Sequence, residues 1–122
     1  MIDHLANFPD DVLAFAFAGH VTKGDYDAVL IPAVEAALER HAKLRLYYET
    51  AANLTEFDAG AVWDDFSLGV EHLARWERVA VVTDVDWIGK ATQLFSVILP
   101  SKVRVFPSSE TARARAWIAA AA

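Results

Sequence analysis

Arg78-Val79-Ala80-Val81-Val82-Thr83-Asp84-Val85-Asp86-Trp87-Ile88 is the stretch that decides the fold. Val79 to Val82 is an unbroken apolar run, mostly β-branched, the pattern of a strand covered on both faces. Thr83 and Asp84 then offer N-cap oxygens to a helix expected from Val85. A buried strand that runs into a helix start marks a layered α/β domain. It leaves the chemistry open.

Downstream, Val85 to Leu99 reads as the third helix, closed by Pro100. Val103 to Phe106 is the last strand, ended by Pro107, and Ser108-Ser109-Glu110 caps a final helix to Ala120. Upstream, Ile2 to Leu5 is a short strand. Val12 to Gly19 alternates, with Leu13, Phe15 and Phe17 on one side and Ala14, Ala16 and Ala18 on the other. The two form an expected hairpin, and the alanine side lets a helix pack close. Thr22-Lys23-Gly24-Asp25 resembles a capping box, opening a helix to about His41 with Tyr26, Val29, Leu30, Val34, Ala37 and Leu38 on its apolar side. Pro32 should kink it into two pieces. Leu44 to Tyr48 is a strand, Ala51 to Asp58 a loop, and Ala59 to about Trp76 the second helix. The order β-β-α-β-α-β-α-β-α predicts one mixed sheet of about five strands with packed helices, the later strands parallel.

The chain has 122 residues, which suits one compact domain, and 55% of them are hydrophobic, enough for a core. No run approaches the roughly 20 apolar residues of a membrane span. Met1-Ile2-Asp3-His4 lacks the basic patch and apolar run of a signal peptide, so a cytoplasmic protein is expected. Cysteine is absent, which excludes disulfides, thiolate metal sites and cysteine nucleophiles. A net charge of −6 opposes binding to nucleic acid or to anionic membranes.

Several residues recur together in a known order: Thr22, Asp25-Tyr26 and Pro32; Trp63, Gly69 and His72; Arg78, Ala80 to Asp84 and Trp87; and Arg104-Val105-Phe106 with Trp117. With them the chain resembles the SpoIIAA-like family of the STAS superfamily over nearly its whole length. The resemblance implies a mixed sheet with packed helices, akin also to CRAL-TRIO lipid-binding domains, and no established activity. Anti-sigma-factor antagonists of the superfamily carry a phosphorylatable serine, usually after Asp, at the helix start following the third strand. Here that region reads Glu49-Thr50-Ala51-Ala52-Asn53-Leu54-Thr55, with Thr50 and Thr55 as poor substitutes.

In open α/β sheets, ligands bind beyond the carboxyl ends of the strands. The residues expected there are His20, Glu49, Thr50, Asn53, Thr83, Asp84, Ser108 and Ser109, either as a polar ligand site or as caps and turns. No Gly-rich phosphate loop, HExxH pair or G-x-S-x-G elbow occurs, so neither a metal, nor a cofactor, nor an enzyme is expected. The third helix is apolar over a wide arc. Ile88, Ala91, Phe95 and Leu99 form one stripe, with Trp87, Leu94 and Ile98 beside it. Together with Trp63, Phe66 and His72 of the second helix, these residues are candidates for a ligand pocket or an interface, the alternative being simple burial. The expectation is a non-enzymatic module that self-associates as a homodimer and binds a protein partner or a small apolar ligand. A lipid or hydrophobic-metabolite carrier and a phospho-regulated antagonist are the alternatives.

Overall fold

The computed structural model describes residues 1–57, 75–98 and 102–120. Most of the predicted second helix, with Trp63, Phe66 and His72, lies outside the described residues, as does Leu99. Five strands form the main sheet: β1 (Ile2–His4), β2 (Val12–Phe17), β4 (Leu44–Thr50), β6 (Trp76–Val82) and β7 (Lys102–Phe106), in the order β1-β2-β4-β6-β7. β1 and β2 are antiparallel, and every later pairing is parallel. This is the mixed sheet that the element order predicts.

Two departures have clear causes. The strand read as Val12 to Gly19 stops at Phe17, because Gly19 turns the chain at φ 59°. The next residues, His20–Val21 (β3), leave the sheet and pair in parallel with Glu56–Phe57 (β5), inside the predicted loop. Two-residue strands carry no periodicity to read. The Gly19 carbonyl ties the two segments by accepting the Thr55 N–H at 2.8 Å.

The first helix begins with the predicted capping box: Thr22 Oγ1 accepts the Asp25 N–H at 3.1 Å, and Asp25 Oδ2 accepts the Thr22 N–H at 2.9 Å. That N–H, with a lesser part from the N-terminal ammonium 3.3 Å away, holds the Asp25 carboxyl below its ordinary range. The helix does not break at Pro32. It runs as α1 (Lys23–Asp25), a π turn (Tyr26–Leu30) and α2 (Ile31–Arg40) with helical dihedrals at each junction. The Ile31 N–H reaches back five residues to the Tyr26 carbonyl, placing Pro32 in the first turn of α2, where a missing N–H costs least.

The sheet is covered on both faces. Leu13, Phe15, Phe17, Leu44, Leu46, Val79 and Val81 bury one face under Tyr26, Leu30, Val34 and Ala37. Ile88, on α3 (Asp86–Ile98), packs on the same cluster. Val12, Ala14, Tyr47, Ala80, Val82 and Phe106 bury the other face under Ala114 and Ile118 of α4 (Thr111–Ala119). The predicted alanine side of β2 is thus the α4 side. A Ser108–Glu110 3-10 turn precedes α4 where the sequence suggested a cap.

Trp76 ends the predicted second helix in the sequence reading, yet it starts β6. The β4–β6 register jumps from Leu44↔Trp76 to Arg45↔Arg78, leaving Glu77 as an extra residue. The bulge turns Trp76 onto the first face and Arg78 onto the second. Arg45 and Arg78 therefore stand side by side on adjacent strands, each only 7% exposed. The C-terminus of α4 offsets their repulsion. Arg45 Nη1 donates to the Ile118 carbonyl at 2.8 Å and to that of Ala120. Arg78 Nη1 donates to the Trp117 carbonyl at 2.8 Å and to Ala120 at 3.3 Å. Orphan carbonyls at the negative end of a helix are natural partners for guanidinium groups. Arg45 Nε also donates to Glu77 Oε1 at 2.6 Å.

Removing one partner of a buried charged contact leaves the other unsatisfied, at a cost of about 2–3 kcal/mol. Arg78→Leu is therefore expected to destabilise the fold by about that amount in urea denaturation, with Arg113→Leu, at an exposed pair with Glu110, changing it by less than about 0.5 kcal/mol. Thr22→Ala, which opens the capping box, should cost about 1 kcal/mol.

Candidate functional site

The carboxyl ends of β4, β6 and β7 lie level, because Glu49 pairs with Val82 and Val82 with Phe106. Residues just past those pairs meet. Thr50 Oγ1 donates to Thr83 Oγ1 at 2.9 Å, and Thr83 Oγ1 accepts the Val85 N–H at 3.0 Å. Thr83 is 6% exposed, so its hydroxyl has to be satisfied within the protein, and it is.

Asp84 does not cap α3, contrary to the sequence reading. Its carboxylate turns to the neighbouring strand end, where Oδ1 accepts the Ser108 N–H at 2.9 Å and Oδ2 the Ser108 hydroxyl. Asp84 and Ser108 each stand two residues past a register pair, Val82 and Phe106, which brings them together. Both belong to the predicted strand tips, and their equal offset from two adjacent parallel strands is the signal in the chain that pairs them. The Ser108 hydroxyl first, and its N–H second, hold the Asp84 carboxyl below its ordinary value of 3.8.

The remaining polar candidates point elsewhere. Glu49 faces the α4 side and pairs with Arg115 at 3.3 Å. Arg115 lies over the rings of Phe8 and Tyr47, at 5.0 and 5.7 Å. The Tyr47 hydroxyl beneath is buried, and burial first, then Glu49, raises its pKa. His20, on the small sheet, stands 3.8 Å from Glu56 Oε2. Thr50, Thr83 and Asp84 are thus brought to one edge, with Glu49 turned to the other face.

Beside that edge lies an open cleft of about 420 Å³ between α3 and β7, lined by Thr83, Asp84, Asp86, Lys90, Gln93 and Val105 among others. On α3 the first predicted stripe is split, with Ala91 exposed beside the inward Ile88. Ile88 turns inward, while Trp87 is 49% and Leu94 73% exposed, two helical turns apart on the outer side. The side chains of Phe95 and Ile98 lie outside the described residues. Among the described residues no three His, Asp or Glu side chains are grouped to hold a metal ion, and no helix is long and apolar enough to cross a membrane.

The model of the SpoIIAA-like family matches residues 12–119. The chain belongs to the SpoIIAA-like family. Among solved structures it is similar to an uncharacterized protein of the DUF3478 family with a SpoIIAA-like fold from Shewanella loihica PV-4. The two share 25% identity at a TM-score of 0.73, over 96% of this chain and 93% of that one. No curated protein matches the sequence. The residues that carried the resemblance recur in the architecture of this SpoIIAA-like chain: Thr22 and Asp25 in the capping box, Pro32 after the π turn, Arg78 under the end of α4, and Trp117 over Phe106.

Because the Asp84 pKa is depressed in the folded chain, its contribution to stability is present above the unfolded value and is lost as pH falls through the folded one. Ser108→Ala is expected to lower the thermal midpoint at pH 7, and the gap from the unaltered chain should close as pH drops below about 4 in circular-dichroism melts.

Proposed function

We propose that this SpoIIAA-like chain is a non-enzymatic contact module that associates with a second copy of itself through the outer side of α3. The observation that carries the reading is Leu94, 73% exposed, two turns along from Trp87 at 49%. Single exposed apolar side chains are ordinary. Two large ones aligned on a helix whose opposite side already covers the sheet form a stripe suited to a partner. Burial of one such side chain contributes about 1.5–3 kcal/mol, and a two-fold contact uses each one twice.

The strand tips support contact over catalysis. Thr50, Thr83, Asp84 and Ser108 satisfy one another, and that mutual bonding suits structural punctuation better than an activated nucleophile and its base. The adjoining cleft, with Asp84, Asp86, Lys90 and Gln93 in its wall, suits a protein surface better than a small apolar ligand.

Sedimentation equilibrium at micromolar concentration is expected to give twice the 13.4 kDa chain mass, and Leu94→Glu should return it to that of one chain. A single-chain mass for the unaltered protein, or a mass that Leu94→Glu leaves doubled, would remove the proposal.

A further inference from the structure

β7 lies at the margin of the main sheet and, among the described residues, pairs only with β6. Successive residues of a strand aim their backbone N–H and C=O groups to alternate sides. The Phe106 carbonyl accepts the Thr83 N–H at 2.9 Å, so Phe106, Arg104 and Lys102 direct their backbone groups toward β6. Val103 and Val105 direct theirs outward. Two N–H and two C=O groups therefore line an open margin, with no partner among the described residues. Such a row is a template for another strand.

The side chains say what kind of strand. Lys102 and Arg104 are exposed and share the Phe106 side of β7. The Arg104 guanidinium lies over the rings of Phe106 and Trp117, at 4.7 and 5.4 Å. Neither cation has a carboxylate partner among the described residues, whereas Arg113 pairs with Glu110 and Arg115 with Glu49. On a chain of net charge −6, Lys102 and Arg104 thus place two positive charges along one side of this margin.

We propose that the open margin of β7 binds an extended acidic peptide segment of a partner protein as an added strand. Outward N–H and C=O groups of Val103 and Val105 would form the ladder. Acidic side chains on the α4 side would sit across from Lys102 and Arg104, and opposite charges facing across strands favour pairing. A second copy of β7 fits poorly. Antiparallel pairing through the outward groups of Val103 and Val105 is centred on Arg104 and sets it directly against its own counterpart, a like-charge pair. The surface is separate from the outer side of α3, so it can fail or hold independently of self-association there.

The test is fluorescence anisotropy at low salt with a labelled seven-residue peptide of alternating valine and glutamate. The controls are the same peptide with lysine for glutamate and one N-methylated at every residue. The acidic peptide should bind, the lysine peptide should not, and N-methylation should abolish binding. Lys102→Glu should weaken binding about fivefold or more, since it turns an attraction into a repulsion. Lys102 is exposed, and Arg104→Gln provides a second variant with the same expected direction. Hydrogen exchange of the Val103 and Val105 amides should slow when the peptide is added. Absence of binding, binding indifferent to N-methylation or to Lys102→Glu, or unchanged exchange at Val103 and Val105 each overturns the proposal. So does a doubled chain mass that Arg104→Glu abolishes while Leu94→Glu does not, which would assign the margin to a second copy.

Discussion

Two buried guanidinium groups held by the end of one helix are the constraint on which the α4 layer depends. Arg45 and Arg78 occupy neighbouring strands in direct register, where their mutual repulsion in a low-dielectric interior would be severe. Four hydrogen bonds to the carbonyls of Trp117, Ile118 and Ala120 offset it, with the Glu77 carboxylate beside Arg45. The same bonds anchor α4, whose inward contribution is small: Ala114 and Ile118 are its fully buried side chains. A short helix with little apolar surface is thus fixed by charge at its end, and the second face of the sheet is closed.

Much of this architecture was legible. Alternation in Val12 to Phe17 and the apolar run Val79 to Val82 located β2 and β6, and the capping-box residues Thr22 and Asp25 located the first helix. What was not legible depended on counting or on contacts between distant residues. The bulge at Glu77 breaks the period of two, so Trp76 read as the end of a helix when it starts a strand. The two-residue strands β3 and β5 exist only through each other. Pro32 announced a break, but a π turn absorbed it.

The candidate site divides in the same way. That Thr50, Thr83 and Asp84 belong to the strand ends followed from the α/β order. That Asp84 would reach Ser108 and not the start of α3 depended on the β6–β7 register, which no local pattern encodes. The wide apolar arc of the third helix likewise resolved only when the sheet took up Ile88 and left Leu94 outside. In this SpoIIAA-like chain the polar edge holds three strand ends together, while the exposed chemistry lies on α3 and along β7.

The single extra residue at Glu77 also has a wider meaning. Below it, Trp76 serves the layer beneath the first helix; above it, Arg78 serves the layer beneath α4. One strand thus addresses both halves of the molecule with large side chains that unbroken alternation would have crowded onto the same surface. Parity along β6 works as a junction box: adding or dropping one residue there would swap the wiring of an indole and a cation, and both layers would receive the wrong plug.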